Sequence, residues 1–329
     1  MMKRLRQLGR SAAIASAAAL AIAAPPAAMG QAYPTKPVKV LVGFAPGGAM
    51  DLVARAVGQK MAVGLGQPVV IENKPGAASN IAIRQLIESP PDGYTIMLVA
   101  NGLTANPLLY KQQPFDPNND VAPITLVARL PVVIAADPKS EITSLAKLVE
   151  ISKAKPGSLN YGSPGNGSTP HLAVELFAHG AGIKLSHVPY KGGKPAIADV
   201  LGGQIPLVAV NAVEVLPLWK DGKLRVLAAL SAERVATMPD VPTIAESGYP
   251  GFEANVWHAF IAPKGTPPAI VDRLNAEIHK ALADPEVKQR LASLGAEISP
   301  STPQELAALV RTEHERYAKL VREANIEAN

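Results

Sequence analysis

Val38-Lys39-Val40-Leu41-Val42-Gly43-Phe44-Ala45-Pro46-Gly47-Gly48-Ala49-Met50-Asp51 is the stretch whose reading decides the fold. The apolar run Val38 to Val42 predicts a buried strand. Leu52, Val53, Ala56, Val57, Lys60 and Met61 then follow at helical spacing. A strand that turns through Pro46-Gly47-Gly48 straight into a helix is one half of a βα unit. It also presents unpaired first-turn N–H groups at the positive end of the helix dipole, a place that attracts anions. The same residues would serve as a plain tight turn that needs Gly for its backbone angles, and the stretch alone leaves both readings open.

The pattern repeats downstream. Val69 to Ile71 and Thr95 to Ala100 read as strands, with helices over Asp51 to Val63 and Asn80 to Glu88 between them. Asn106-Pro107 and Phe115-Asp116-Pro117 mark a loop-rich passage. A long strand-rich run, Ala122 to Ala136, is split by Pro131 and predicts a crossing from one domain to another. A second βα series follows, with strands at Leu159 to Tyr161, Leu185 to Tyr190, Leu207 to Val210 and Leu224 to Leu230. Its helices lie over Ser144 to Ala154, from the Thr169 cap to about His179, around Ala196 to Leu201, and over Val213 to Lys220. Val256 to Ala262 reads as the return crossing. The chain ends in helices opened by Thr266-Pro267 and by the capping box Thr302-Pro303-Gln304-Glu305. In the last of these, Leu306, Leu309, Val310, Tyr317, Leu320 and Val321 share one face. This alternation predicts an α/β fold with mostly parallel sheets and two domains. Domain 1 is expected over residues 33–128 and 253–329, domain 2 over 129–252, with a ligand cleft between them.

Residues 1–32 have the form of a cleavable secretion signal. Lys3, Arg4, Arg6 and Arg10 precede an Ala-rich apolar segment, Ser11 to Ala24, and small residues end at Gly30-Gln31-Ala32. Cleavage after Ala32, or alternatively after Ala28, implies secretion across the inner membrane. Cleavage after Ala32 leaves 297 of the 329 residues, enough for two domains. It lowers the formal net charge from +5 to +1, because the signal holds four basic residues and no acidic one. A near-neutral surface gives no argument for nucleic acid as a partner. The chain has no Cys, which excludes disulfides and thiolate chemistry.

A second strand-to-helix loop, Gly162-Ser163-Pro164-Gly165-Asn166-Gly167-Ser168-Thr169-Pro170, offers hydroxyls, an amide and glycine-exposed backbone. Its alternative is a flexible loop with a Ser/Thr cap. Neither loop is a Walker loop, and the last Gly of the dinucleotide fingerprint is missing. Ser163 with His171 suggests a hydrolase, although Tyr161 breaks the nucleophile elbow. His171, His179 and His187 lie eight apart, which does not match a helical zinc pair. Neither a metal nor a cofactor is expected. Tyr190 could offer a hydroxyl and a ring face, or be a half-buried strand-end residue.

Taken together, the motifs resemble the Bug (TctC-like) family, the periplasmic substrate-binding proteins of tripartite tricarboxylate transporters. Tyr33-Pro34-x-Lys36-Pro37, Phe44-Ala45-Pro46-Gly47-Gly48, Gly66-Gln67-Pro68-Val69-Val70-x-Glu72-Asn73 and Pro91-Asp92-Gly93-Tyr94-Thr95 carry the likeness. So do Gly165-Asn166-Gly167, His187-Val188-Pro189-Tyr190-Lys191-Gly192, Leu201-Gly202-Gly203-Gln204 and Pro239-Asp240-Val241-Pro242-Thr243, in order along residues 33–325. The resemblance implies a two-domain periplasmic binding protein of type II-like form, with two hinge crossings and a central cleft. It implies capture of a small di- or tricarboxylate or aromatic acid by domain closure, without catalysis, by a protein expected to act as a monomer. Delivery would be to the membrane subunits of a transporter, or alternatively to a signalling receptor. The ligand-binding residues it implies are Phe44, Ala45, Gly47, Gly48, Asn101, Ser163, Asn166, Gly167, Ser168, Tyr190 and Asn211. Two departures stand out. Ala49-Met50 replaces a hydroxyl residue, and Val210 stands where many relatives have Asp. Both lead us to expect a non-amino carboxylate and a rather apolar pocket wall.

Overall fold

The computed structural model describes residues 33–109 and 114–324. The secretion signal read in residues 1–32 lies outside the described residues. From Lys36 on, the chain is one compact unit.

Each apolar run becomes a strand at the expected place. The strands are β1 (Val38–Val42), β2 (Val69–Asn73), β3 (Thr95–Val99), β4 (Val121–Ala136), β5 (Asn160–Ser163), β6 (Ser186–Pro189), β7 (Leu207–Asn211), β8 (Arg225–Ala229), β9 (Asn255–Pro263) and β10 (Glu297–Ile298). The helices are α1 (Ala49–Leu65), α2 (Asn80–Ile87), α3 (Gly102–Leu109), α4 (Leu145–Ala154), α5 (Thr169–Ala181), α6 (Gly193–Leu201), α7 (Ala212–Lys220), α8 (Pro268–Ala283), α9 (Pro285–Ser293) and α10 (Pro303–Ala324). In α10 the capping box is reciprocal. Thr302 N–H donates to Glu305 Oε2 at 2.8 Å, and Glu305 N–H donates to Thr302 Oγ1 at 3.2 Å.

The strand order is β2-β1-β3-β9-β4-β7-β5-β6, with β8 and β10 also on β4. β1 lies parallel to both β2 and β3, and β5 parallel to both β6 and β7, as βα units require. β4 joins the two halves. Its residues Val121 to Pro131 pair antiparallel with β9, and Val132 to Ala136 pair with β7. Pro131 therefore does not split the strand. It stands at the change of partner, where a missing N–H is least costly to the ladder.

Each half has its own core. Leu41, Ile83, Leu86, Met97 and Trp257 cluster with Leu306 and Val310 in the first. Val133, Ile197, Val208, Val210 and Val215 cluster in the second. A small cluster of Ala105, Leu109, Leu172 and Tyr317 brings together α3, α5 and α10.

Two sequence readings need correction. The passage around Asn106-Pro107 is helical, not loop. Leu103, Ala105, Pro107 and Leu109 are all buried, and burial at roughly 1.5–3 kcal/mol per large side chain outweighs the one lost backbone bond at Pro107. The N-cap of α5 is Ser168, not Thr169, which is already helical with Pro170 in the first turn.

Candidate functional site: a cavity ringed by four helix N-termini

Four helices, α1, α5, α6 and α7, start beside one another. Their N-cap residues are Gly48, Ser168, Gly192 and Asn211, and none of these makes a side-chain cap bond. All four N-caps line a single cavity of ≈ 40 Å³. At about 10–15 Å³ per water, a space of this size admits a few waters in the conformation described. It lies beyond the carboxyl ends of β1, β3, β5 and β7, where α/β sheets place their ligands. Phe44 and Pro164 also line a wider neighbouring cleft of ≈ 340 Å³, so the two spaces lie side by side.

The first loop is held by Asp51. Gly47, at φ 76°, donates its N–H to Asp51 Oδ2 at 2.8 Å. Arg55 and Asn73 bond to the same carboxylate at 3.0 Å each. Burial by itself pushes the Asp51 carboxyl up. The bonds from Arg55, the Gly47 N–H and Asn73 outweigh it, and the group sits below its ordinary value. The second loop rests on a buried histidine pair. His171 and His187 stack with ring centroids 4.0 Å apart, and Gly167 N–H donates to His171 Nδ1 at 3.1 Å. Burial lowers His171 to about 3 and His187 to about 4, with His187 adding to the shift at His171.

The polar atoms of the cavity are unusual. Among the described residues, Ser168 Oγ, Asn211 Oδ1, Glu214 Oε2 and His258 Nδ1 are buried without a hydrogen-bond partner, and all four residues line this one cavity. Buried polar groups are normally paired, so such a concentration marks a place where water or a ligand completes the bonding. The wall also carries one cation. Lys194 lines the cavity, and its Nζ lies so close over Gly47 that a Cβ there would be 2.3 Å from it. Met50, Val256 and Phe44 supply the apolar part.

The residues singled out from sequence fall into three groups. Phe44, Ala45, Gly48, Ser168 and Asn211 line the inner cavity. Asn166 and Tyr190 line the outer cleft, and the Tyr190 hydroxyl donates to Asp199 Oδ2 at 2.5 Å. Gly47, Asn101, Ser163 and Gly167 support the walls. Asn101 Oδ1 accepts from Thr169 Oγ1 and from Trp257 N–H, both at 3.0 Å. Its Nδ2 donates to Asn255 O at 3.2 Å, so the amide ties β9 and α5 together. Ser163 is fully buried, and its Oγ lies 2.6 Å from Nε2 of His187, the ring on which His171 stacks. It is also bonded to both backbone groups of Gly165 and does not line the cavity, which leaves it no approach to a substrate there. Glu214, Lys194 and His258 were missed. Val210, the position read as lacking a carboxylate, points into the second core.

Comparison with known proteins agrees with this geometry. Residues 53–326 match the family model described as "Tripartite tricarboxylate transporter family receptor". The chain belongs to this family. The solved structure of the periplasmic binding protein BugD is 37% identical, with a TM-score of 0.86, covering 90% of this chain and 100% of that one. MatC from Rhodopseudomonas palustris, solved with bound malate, is 32% identical at a TM-score of 0.84, covering 88% and 100% of the two chains. Another protein of that organism, solved with adipate, is 35% identical at 0.85, covering 90% and 99%. The fold is therefore that of the two-domain periplasmic binding proteins, α/β with strands crossing between the halves.

Proposed function

We propose that the protein is a periplasmic solute-binding protein that captures a small carboxylate and delivers it to the membrane subunits of a tripartite tricarboxylate transporter. The observation that carries this reading is the ring of four helix N-termini, none capped by its own N-cap side chain, around one cavity with Lys194 on its wall. Convergent N–H groups and helix dipoles in a water-poor site favour a carboxylate, since charge-assisted bonds gain strength in low dielectric. The malate and adipate of the two related structures belong to the same chemical class. Met50, Val256 and Phe44 would suit an apolar ligand body.

Capture is by closure of two domains, 33–128 with 253–329 and 129–252, about β4 and β9. The inner cavity takes the carboxylate head and the outer cleft admits it. The protein reaches the periplasm through the signal in residues 1–32 and carries out no catalysis. Calorimetric titration of the mature protein with di-, tri- and aromatic carboxylates tests the proposal, with small-angle scattering for closure. A saturable ligand that reduces the radius of gyration is expected. Absence of binding by every carboxylate, or turnover of any of them, would refute it.

A further inference from the structure

Glu214 is an acidic side chain in a cavity otherwise arranged for anions. It stands at the third position of α7, three residues after the N-cap Asn211, so the two side chains share one helix face. Asn211 Nδ2 donates to Glu214 Oε1 at 3.1 Å. That bond fixes the amide and turns Asn211 Oδ1 away from the carboxylate, without a donor of its own. The second carboxylate oxygen, Oε2, makes no hydrogen bond of good geometry, although the backbone N–H groups of Ala49 and Asn211 and the Lys194 charge act on the carboxylate. This oxygen lies between two glycines from opposite halves of the molecule. A Cβ on Gly193 would meet it at 2.1 Å and one on Gly48 at 3.7 Å. Two glycines thus make room for this atom at the cavity wall.

Asn211 Oδ1 and Glu214 Oε2 are both acceptors. With Glu214 ionised, a ligand made only of carboxylates and carbon satisfies neither, and its charge is set against Glu214. Leaving a buried acceptor unpaired is the costly outcome in such a site. We propose that Glu214, with Asn211, is the specificity-determining pair of the pocket. The pair selects a carboxylate that also carries a hydrogen-bond donor, a hydroxyl or an ammonium group, near the end bound by the helix N-termini. The inference rests on the carboxylate-binding reading. It replaces the expectation, drawn from Val210, of a ligand without an amino group. The carboxylate missing at 210 is supplied from 214, and Lys194, over Gly47, is the cation on the same wall.

Calorimetry of the mature protein with three matched sets tests it: succinate, malate and aspartate; glutarate, 2-hydroxyglutarate and glutamate; phenylacetate, mandelate and phenylglycine. In any set that binds, the hydroxy or amino member is expected to bind roughly tenfold or more tighter than the plain acid. Glu214→Gln and Glu214→Ala, each checked for folding by thermal melting, should bring that ratio towards one or invert it. Glu214→Gln can still reach back to the helix start, so a role in helix capping alone would leave the ratio unchanged. A plain acid that binds as tightly as its donor-bearing partners, or a ratio unmoved in both variants, overturns the assignment. No binding by any of the nine acids would instead overturn the carboxylate reading, and the assignment with it.

Discussion

Three buried histidines make the stability of this protein steeply dependent on pH above the carboxylate range. Burial lowers His171 to about 3 and His258 to about 3, and lowers His187 to about 4. In the unfolded chain each titrates near 6.5. A folded value below the unfolded one means that the unfolded state binds more protons in the interval between them. Stability is then fully present above about pH 6.5 and is lost as the pH falls towards 4. At pH 5 each site costs about 2 kcal/mol, and the three together about 6 kcal/mol. That is comparable with the whole stability of many domains, about 5–15 kcal/mol. Glu175 and Glu214, both raised chiefly by burial, act in the opposite sense and offset part of the loss. Acids held low, such as Asp51 and Glu72, lose their contribution only below this window. Urea unfolding at pH 8, 7, 6 and 5 measures the slope, which should approach about 1.4 kcal/mol per pH unit for each proton taken up. His258→Gln should remove one proton's share. A stability that is flat from pH 8 to 5, or a slope untouched by His258→Gln, would refute the reasoning.

Three substitutions separate the walls of the site from its lining. Asp51→Ala removes the acceptor for Gly47, Arg55 and Asn73, and should cost about 2–4 kcal/mol in denaturant unfolding; a change below about 0.5 kcal/mol, the usual surface range, would show that the first loop does not depend on it. Asn101→Ala strands the buried Trp257 N–H and the Thr169 hydroxyl, and should lower stability by about 2–4 kcal/mol even without ligand; lost affinity at unchanged stability would make Asn101 a ligand contact instead. Gly193→Ala drives a methyl against Glu214 Oε2 at 2.1 Å. Calorimetry should find ligand affinity reduced roughly tenfold or more, by analogy with overpacking costs of about 1–3 kcal/mol, and unchanged affinity would contradict the placement of Glu214.

The βα alternation, the long apolar strands over Ala122 to Ala136 and Val256 to Ala262 and the Thr302–Glu305 capping box could all be read in advance, because each depends on residues close in sequence. A strand repeats every two residues, a helix every three to four, and a capping box closes over three. The Phe44–Asp51 and Gly162–Thr169 loops were legible for the same reason. Other features were not. Asn101 reads as a ligand contact or a turn residue, yet it bonds to Thr169 and Trp257, 68 and 156 residues away. Pro107 reads as a breaker, but the burial of its helix overrides that local preference. Val210 reads as a missing carboxylate because many relatives have Asp there. Strand alternation instead points 210 into the core and leaves Asn211 at the cavity, where the helical step of three returns Glu214 to the same side.

The sequence by itself determined the alternation of strands and helices and the strand-to-helix turn at Pro46-Gly47-Gly48, because these depend on neighbours along the chain. Only the tertiary structure brought four such starts to one point and set Lys194, Glu214 and His258 among them. The reason is physical: a helix N-terminus is a local feature with a weak pull on anions, whereas a site requires several of them to converge, and convergence is fixed by how β4 and β9 join the two halves of the sheet.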